Sequence, residues 1–295
     1  MTFLQKVPPG IRYVLMSALG FSVMSSLVKL ASTHGIPVFE IVAARSLVSL
    51  VLSFLDVKRK GISIWGNNKK LLIARGMVGT VALMCVYYAI TTLPLAEATI
   101  LQYTHPVFTA LLAFLFLGET IRRTTLICIL CCIAGLLLIV GPEALLRGTS
   151  HLPIFSVFIA LVGASGSAIA YVIVRHISNS EDSSVIIFYF PFMAFPLSLV
   201  LLGNDFVMPS LYELFLLVAI GVCTQTGQIG LTKAMKTLNA GVASAYSYIQ
   251  VVFSVALGWL MFSEVPVLTT WLGGALIISG ALINVYGGIR ARRAL

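Results

Sequence analysis

Long apolar runs follow one another along almost the entire chain. About ten of them reach roughly 20 residues, the length at which a helix crosses a hydrocarbon layer about 30 Å thick. Their approximate spans are 10–32, 36–57, 68–91, 95–117, 124–142, 152–176, 183–203, 210–235, 240–262 and 267–289. No soluble domain fits between them. The sequence therefore predicts an all-α integral membrane protein with ten transmembrane helices.

The composition agrees with a membrane protein. Hydrophobic residues make up 59% of the 295 residues, charged residues only 10%, and the mean hydropathy is +1.03. A soluble domain of this length could not bury so much apolar surface in one core. The first run follows Lys6 and Arg12 but is too long for a signal peptide and leads straight into the next run, so we interpret it as a retained helix.

The net charge of +9 is explained by the positions of the basic residues. Lys and Arg cluster after spans 2, 4, 8 and 10, whereas the intervening connections hold almost none apart from Arg147. The positive-inside rule then predicts a multi-pass protein of the cytoplasmic (inner) membrane with both termini in the cytoplasm. Because the charge reflects topology, we expect no nucleic-acid partner.

The five cysteines all lie inside predicted spans, where a disulfide framework is not expected. Cys128, Cys131 and Cys132 share one helix face, which raises the alternative of a metal site. A closed zinc site needs about four ligands, and no complementary Cys or His pair occurs elsewhere. We therefore interpret them as packing residues and expect neither a metal nor a cofactor.

The chain contains an internal repeat with a displacement of 145 residues. Between 88–140 and 233–285, about 16 of 53 positions are identical, including Tyr103/Tyr248 and Glu119/Glu264. The displacement carries the first five spans onto the second five. Because five is odd, the second half enters the membrane from the opposite side, as in secondary transporters with inverted repeats. We predict five-helix repeats at 10–142 and 152–289.

Two stretches carry a family resemblance. YYAITTLPLAEATILQYTHPVFTALLAFLFLGE and LTKAMKTLNAGVASAYSYIQVVFSVALGWLMFSE resemble the two units of EamA-type permeases in the drug/metabolite transporter superfamily, as do FEIVAARS and ARGMVGTVALMCVYYA. The resemblance implies a ten-helix carrier with a central cavity bounded mainly by helices 1, 3, 4, 6, 8 and 9. Members of this superfamily move amino acids, S-adenosylmethionine, vitamins, organic acids and drugs.

Polar residues inside the spans indicate where a cavity lies. On a helix turning about 100° per residue, Gln102, His105 and Thr109 project within one sector of span 4, and the equivalent Ser247, Gln250 and Ser254 do so on span 9. Spans 3 and 8 carry a second pair of stripes, and spans 1 and 6 a third. The stripes of spans 3 and 8 are Gly76, Thr80, Leu83, Tyr87 and Gly221, Gln225, Gln228, Thr232; those of spans 1 and 6 are Ser22, Ser25, Ser26, Lys29 and Ser167, Tyr171. Small residues in such stripes serve equally well in packing between helices.

Charged residues inside the spans need partners. Arg45 lies deep in span 2, while Glu40, Glu97 and Lys29 lie near the predicted outer ends, so an external charge network with Arg45 is expected; a purely structural ion pair is the alternative. Arg75 is interpreted as snorkelling at the cytoplasmic end, and a position near the cavity is the alternative. Glu119 and Glu264 are interpreted as anchors outside the site.

Together these features predict a secondary transporter that moves a small polar organic metabolite by alternating access. An amino acid, an organic anion or an S-adenosylmethionine-like molecule would fit, and a channel or non-transporting scaffold is the alternative. Catalytic patterns such as H-E-x-x-H, G-x-S-x-G and the P-loop are absent from the sequence, so no enzyme is expected. Besides substrate and bilayer, a coupling proton or counter-substrate and a homodimer are left open. The candidate substrate-binding residues are Arg45, Thr80, Tyr87, Gln102, Tyr103, His105, Gln225, Gln228, Ser247, Tyr248 and Gln250.

Overall fold

The computed structural model describes residues 9–105, 107–109, 112, 123–140, 152–177, 180–237 and 249–293. These residues form ten α-helices, and none of them lies in a β-strand. Six of the helices, α1, α2, α3, α6, α7 and α8, are long and apolar enough to cross a membrane. In chain order the helices are α1 Pro9–Thr33, α2 Val38–Arg59, α3 Lys69–Thr92, α4 Leu95–Gln102, α5 Arg123–Val140, α6 Ile154–Ile177, α7 Ser183–Leu202, α8 Leu211–Thr237, α9 Ile249–Phe262 and α10 Leu268–Arg293.

Local sequence explains where several helices begin and end. The Asn68 side chain accepts a hydrogen bond from the backbone N–H of Leu71 at 3.2 Å and caps α3. Asp182 caps α7 in the same way through the N–H of Ser184 at 2.8 Å. Both side chains satisfy backbone donors that have no partner within the helix. At the other end of α7, Gly203 adopts a φ of 53°, which glycine reaches without steric cost.

The stretch after α4 differs from the prediction. Span 95–117 was expected to be one helix, but α4 ends at Gln102, and the N–H of Thr104 bonds the carbonyl of Leu101 rather than that of residue 100. A regular helix would also need an N–H at residue 106 for the Gln102 carbonyl, and proline has none. The expectation that Gln102, His105 and Thr109 share a sector of one regular helix is therefore wrong.

The contacts between helices form a pattern that repeats after five helices. α1 packs against α8 as α6 packs against α3, and α1 contacts α9 as α6 contacts α4. The pairs α2–α7, α4–α9 and α5–α10 map onto themselves. A pseudo-two-fold relation between the halves would produce this pattern. It supports the internal repeat, while the membrane orientation of the second half stays a prediction.

Close helix contacts repeat in the same register. A Cβ atom on Gly221 of α8 would lie 2.6 Å from Cγ1 of Val48 on α2. Exactly 145 residues earlier, a Cβ atom on Gly76 of α3 would lie 2.8 Å from Cγ of Met193 on α7. Glycine lets membrane helices approach this closely. The repeat is therefore expressed in the packing as well as in the sequence.

Polar contacts join the two halves where α2 ends and α7 begins. Lys60 Nζ lies 2.9 Å from Asp182 Oδ1 and donates to Ser184 Oγ at 2.6 Å. Burial alone would lower the pKa of Lys60, but its hydrogen bond and ion pair with Asp182, together with Asp56, raise it. Burial alone would raise the pKa of Asp182, but the Ser184 N–H and Lys60 lower it. The stability that ionised Asp182 contributes is therefore lost only as the pH falls through its lowered pKa. The stability that charged Lys60 contributes is lost only as the pH rises through its raised pKa, so the ion pair persists at neutral pH.

Candidate functional site

A cavity with about 890 Å³ of empty space, which includes the space open to solvent, lies among the helices. The six helices named by the resemblance all contribute to its wall, and α2 and α7 each add one side chain. The polar and aromatic lining residues are Phe21, Ser25, Arg45, Arg75, Tyr87, Thr99, Gln102, Tyr103, His105, Ser167, Tyr171, Phe190, Gln228 and Gln250.

The cavity brings together most of the predicted site residues. Arg45, Tyr87, Gln102, Tyr103, His105, Gln228 and Gln250 line it. Thr80 and Gln225 do not: Thr80 donates to the Gly76 carbonyl at 2.7 Å, and Gln225 donates to Ser53 on α2 at 2.9 Å. These two occupy equivalent positions in the repeat and pack within the helix bundle. Ser247 and Tyr248 lie outside the described residues.

Hydrogen bonds across the cavity connect the two halves of the chain. The Tyr103 hydroxyl donates to Gln250 Oε1 at 2.7 Å, and Gln102 Nε2 donates to Ser167 Oγ at 2.9 Å. On the α1 side, Ser22 Oγ donates to the backbone carbonyl of Gln250 at 3.2 Å. Gln102 Oε1 is buried and has no hydrogen-bond partner among the described residues. The cavity wall thus presents an unused acceptor beside a network that spans both halves.

His105 lies directly after the turn at the end of α4. Its ring centroid is 5.0 Å from that of Tyr171 on α6 and 5.5 Å from that of Tyr103. Its Nδ1 is buried without a hydrogen-bond partner in the described part of the chain. Buried polar atoms normally have a hydrogen-bond partner, so this nitrogen is an exception in the wall of the cavity.

Arg45 enters the cavity from α2 and is only 1% exposed. Its guanidinium carbon lies 5.1 Å from the Phe190 ring centroid and 5.7 Å from that of Tyr87, in the range of cation–π contacts. Nη1 donates weakly to the Tyr87 hydroxyl at 3.4 Å, whereas Nε and Nη2 have no partner among the described residues. The charge is therefore held by aromatic rings, and two of its three nitrogens are buried without a hydrogen bond among the described residues.

The charge network that was expected around Arg45 does not form among the described residues. Glu40 accepts the N–H of Val207 at 3.0 Å, and Glu97 accepts the hydroxyl of Thr270 at 2.9 Å. Lys29 pairs with Glu264. Each of these three side chains therefore contacts a partner other than Arg45, in a connection between helices or on α10.

Lys29 and Glu264 form an ion pair outside the cavity lining, near the ends of α1 and α9. Lys29 also donates to the carbonyl of Leu93 at 3.0 Å, and Glu264 Oε2 accepts the N–H of Leu95 at 2.9 Å. The ion pair therefore ties α1, the α3–α4 connection and the end of α9 together. Glu264 thus acts as an anchor, as the sequence predicted, and Lys29 belongs to this ion pair rather than to the site.

Arg75 was not among the substrate-binding residues expected from the sequence. It was expected to snorkel toward the membrane surface, but it is 6% exposed and turns into the cavity from α3. Its guanidinium carbon lies 4.5 Å from the Phe190 ring centroid, because Gly79, one turn later, leaves room for the side chain. Phe190 was also missed, although the repeat places it 145 residues after Arg45 and could have identified it.

The comparisons with known proteins agree with the geometry. The sequence matches the EamA-like transporter family over residues 8–141 and again over 154–286. The chain belongs to the EamA-like transporter family. This membership confirms the resemblance drawn from the sequence.

Relatives with assigned names are transporters. The pseudopaline exporter CntI of Pseudomonas aeruginosa is 37% identical over 270 residues, covering 91% of this chain and 93% of the exporter. Human solute carrier family 35 member G1 is 31% identical, covering 95% and 79%. The S-adenosylmethionine uptake transporter of Rickettsia bellii is 24% identical, covering 96% and 95%.

One solved crystal structure shares the fold. It superposes with a TM-score of 0.66 at 20% sequence identity and covers 96% of this chain and 98% of its own. The family and the relatives lead to one conclusion about function. The chain is a multi-pass membrane protein and a secondary transporter of small molecules, not an enzyme.

Proposed function

We propose that this transporter moves a small polar metabolite bearing a carboxylate across the cytoplasmic membrane by alternating access. The observation that carries the proposal is Arg45, a buried cation that lines the cavity with two guanidinium nitrogens lacking a hydrogen-bond partner among the described residues. A planar guanidinium matches a carboxylate with two parallel hydrogen bonds. Gln102 Oε1 and His105 Nδ1 add unused polar atoms for the rest of the substrate.

The direction of transport in this proposal is export. The 37% identical relative is named an exporter, whereas the relative named for uptake is 24% identical. The Lys29–Glu264 ion pair lies at the end of the bundle that the positive-inside rule assigns to the outside. This arrangement favours a cavity that is sealed externally and loads from the cytoplasm.

Flux measurements test the proposal. We expect the purified protein in proteoliposomes to catalyse saturable transport of small carboxylic acids, with counterflow when unlabelled substrate is trapped inside. Empty liposomes and liposomes with heat-inactivated protein provide the controls. Flux that rises linearly with concentration and shows no counterflow would indicate a channel instead.

Inverted topology is part of the proposal and has its own test. The test introduces one cysteine at a time into a cysteine-free variant of the protein. Ser63→Cys places it between α2 and α3, and Phe206→Cys places it between α7 and α8. We expect a membrane-impermeant maleimide to label position 206 in intact cells and position 63 only in inverted vesicles, because five predicted spans separate them. Labelling of both positions from the same side would contradict the inverted repeat.

Proton coupling at His105 is the coupling mechanism we propose, since this imidazole lies at the cavity wall with an unpartnered Nδ1. We expect an imposed pH gradient to accelerate transport in the wild type and to have little effect on His105→Gln, which keeps a hydrogen-bonding side chain. An equal response in both would favour exchange with a counter-substrate.

We propose a homodimer as the assembly. Measurement of the particle mass in lipid nanodiscs tests this proposal.

A further inference from the structure

The cavity contains a second buried cation, Arg75, close to Arg45. Both guanidinium carbons lie against the same Phe190 ring, at 4.5 Å and 5.1 Å from its centroid. Each charge comes from a different helix of the first half, α3 and α2. None of the described residues lining the cavity is Asp or Glu. The site therefore concentrates two positive charges without a protein counter-charge among those residues.

Both arginines also leave hydrogen-bond donors unused. Nε and Nη2 of Arg45, and Nε and Nη1 of Arg75, are buried without hydrogen-bond partners in the described part of the chain. Cation–π contact with Phe190 stabilises the charges, but it satisfies no N–H group. A buried cation that lacks a counter-charge and leaves several N–H groups without a hydrogen bond is costly in a membrane protein. A ligand that supplies both would offset that cost.

The backbone of α3 is adapted to hold Arg75 in this place. A Cβ atom on Gly79 would lie 2.6 Å from Arg75 Nη1 and 3.1 Å from Cδ2 of Phe190. Any larger residue at position 79 would therefore displace the guanidinium or the ring. A snorkelling arginine would need no such space, so the glycine indicates that the inward position has a use.

We infer that the substrate carries two carboxylates, one bound by Arg45 and the other by Arg75, on either end of a small organic skeleton that packs near Phe190. The inference rests on the proposed function and specifies its substrate class. Two arginines on separate helices, each with its own unused donors, suit two separate carboxylates better than a single one. The twofold negative charge of such a substrate balances the two cations.

Binding of paired acids tests the inference. The probes are the linear α,ω-dicarboxylates from succinate to suberate, each compared with its own monoamide, and the protein is the full chain in lipid nanodiscs, measured by calorimetry. We expect the best dicarboxylate to bind at least about tenfold more tightly than its monoamide, the effect of one charge-assisted hydrogen-bond pair.

Two variants locate the second carboxylate. In Arg75→Gln, and in Gly79→Ala, which retains Arg75 but displaces it, the preference for the dicarboxylate over its monoamide should disappear. Arg59→Gln, at an exposed position near the end of α2, should retain it. Size-exclusion profiles check that each variant is folded, and a preference that persists in both folded variants would overturn the role of Arg75.

The outcomes separate this inference from the proposed function. Equal binding of dicarboxylates and monoamides overturns the two-carboxylate site while leaving a carboxylate transporter intact. Binding of neither class overturns both. Binding of phenyl phosphate as tightly as the best dicarboxylate would show that both arginines grip one dianionic group, and would also overturn the inference.

Discussion

Replacing Arg45 with glutamine should reduce carboxylate transport roughly ten- to a hundredfold, the factor expected for one lost charge-assisted interaction. The same change should leave thermal stability unchanged or raise it. Arg45 has no acidic partner among the described residues, so its removal relieves a buried charge rather than stranding one. The Tyr87 hydroxyl keeps a partner, because it donates to Met24 Sδ at 2.9 Å.

A large loss of transport without any loss of stability makes the prediction specific. Initial rates in proteoliposomes and melting curves of the purified protein measure transport and stability. Arg59→Gln is the matched control. Arg59 lies on the same helix but is exposed and, among the described residues, pairs with Asp56 alone. Its transport rate and its melting temperature should both stay at the wild-type level. A large loss of stability in Arg45→Gln would mean that Arg45 has a structural partner and would remove the argument for its role in binding.

The sequence predicted the parts of the fold that depend on periodicity. Apolar runs of membrane length predicted α1, α2, α3, α6, α7 and α8, because the bilayer sets the length of a spanning helix. The repeat predicted that positions 145 residues apart are equivalent, and His105 and Gln250 accordingly both line the cavity.

Predictions of side-chain direction were less successful. Arg75 was assigned to the surface because its position along α3 is near a helix end, and neither Gly79 nor Phe190 could be related to it before the packing was known. Glu40 and Glu97 were expected to pair with Arg45 because of their positions along the predicted spans. The position of a residue along a helix does not determine which other helix lies next to it. Tertiary contacts decide these cases, and a single sequence does not contain them.

Replacing Gly221 with alanine should destabilise the folded protein by about 1–3 kcal/mol, the usual cost of overpacking a close contact. The added methyl group would overlap Val48 and lie 2.6 Å from its Cγ1. Val48 is β-branched and stiff, so it cannot turn away, and α8 must separate from α2. Thermal unfolding in nanodiscs measures the loss, and Val48→Gly in the same chain should recover part of it by moving the glycine to the other helix.

Two further glycine substitutions serve as comparisons for Gly221→Ala. Gly258→Ala on α9 is the control: its new Cβ would meet its nearest neighbour, Glu264 Oε2, at 3.4 Å, so little change is expected. Gly76→Ala is the equivalent of Gly221→Ala, and its Cβ would lie 2.8 Å from Met193 Cγ and 2.9 Å from the Tyr189 carbonyl oxygen. Met193 can adjust but the Tyr189 backbone cannot, so we expect a comparable loss. If Gly221→Ala and Gly76→Ala both behave like Gly258→Ala, the close α2–α8 and α3–α7 contacts do not stabilise the fold.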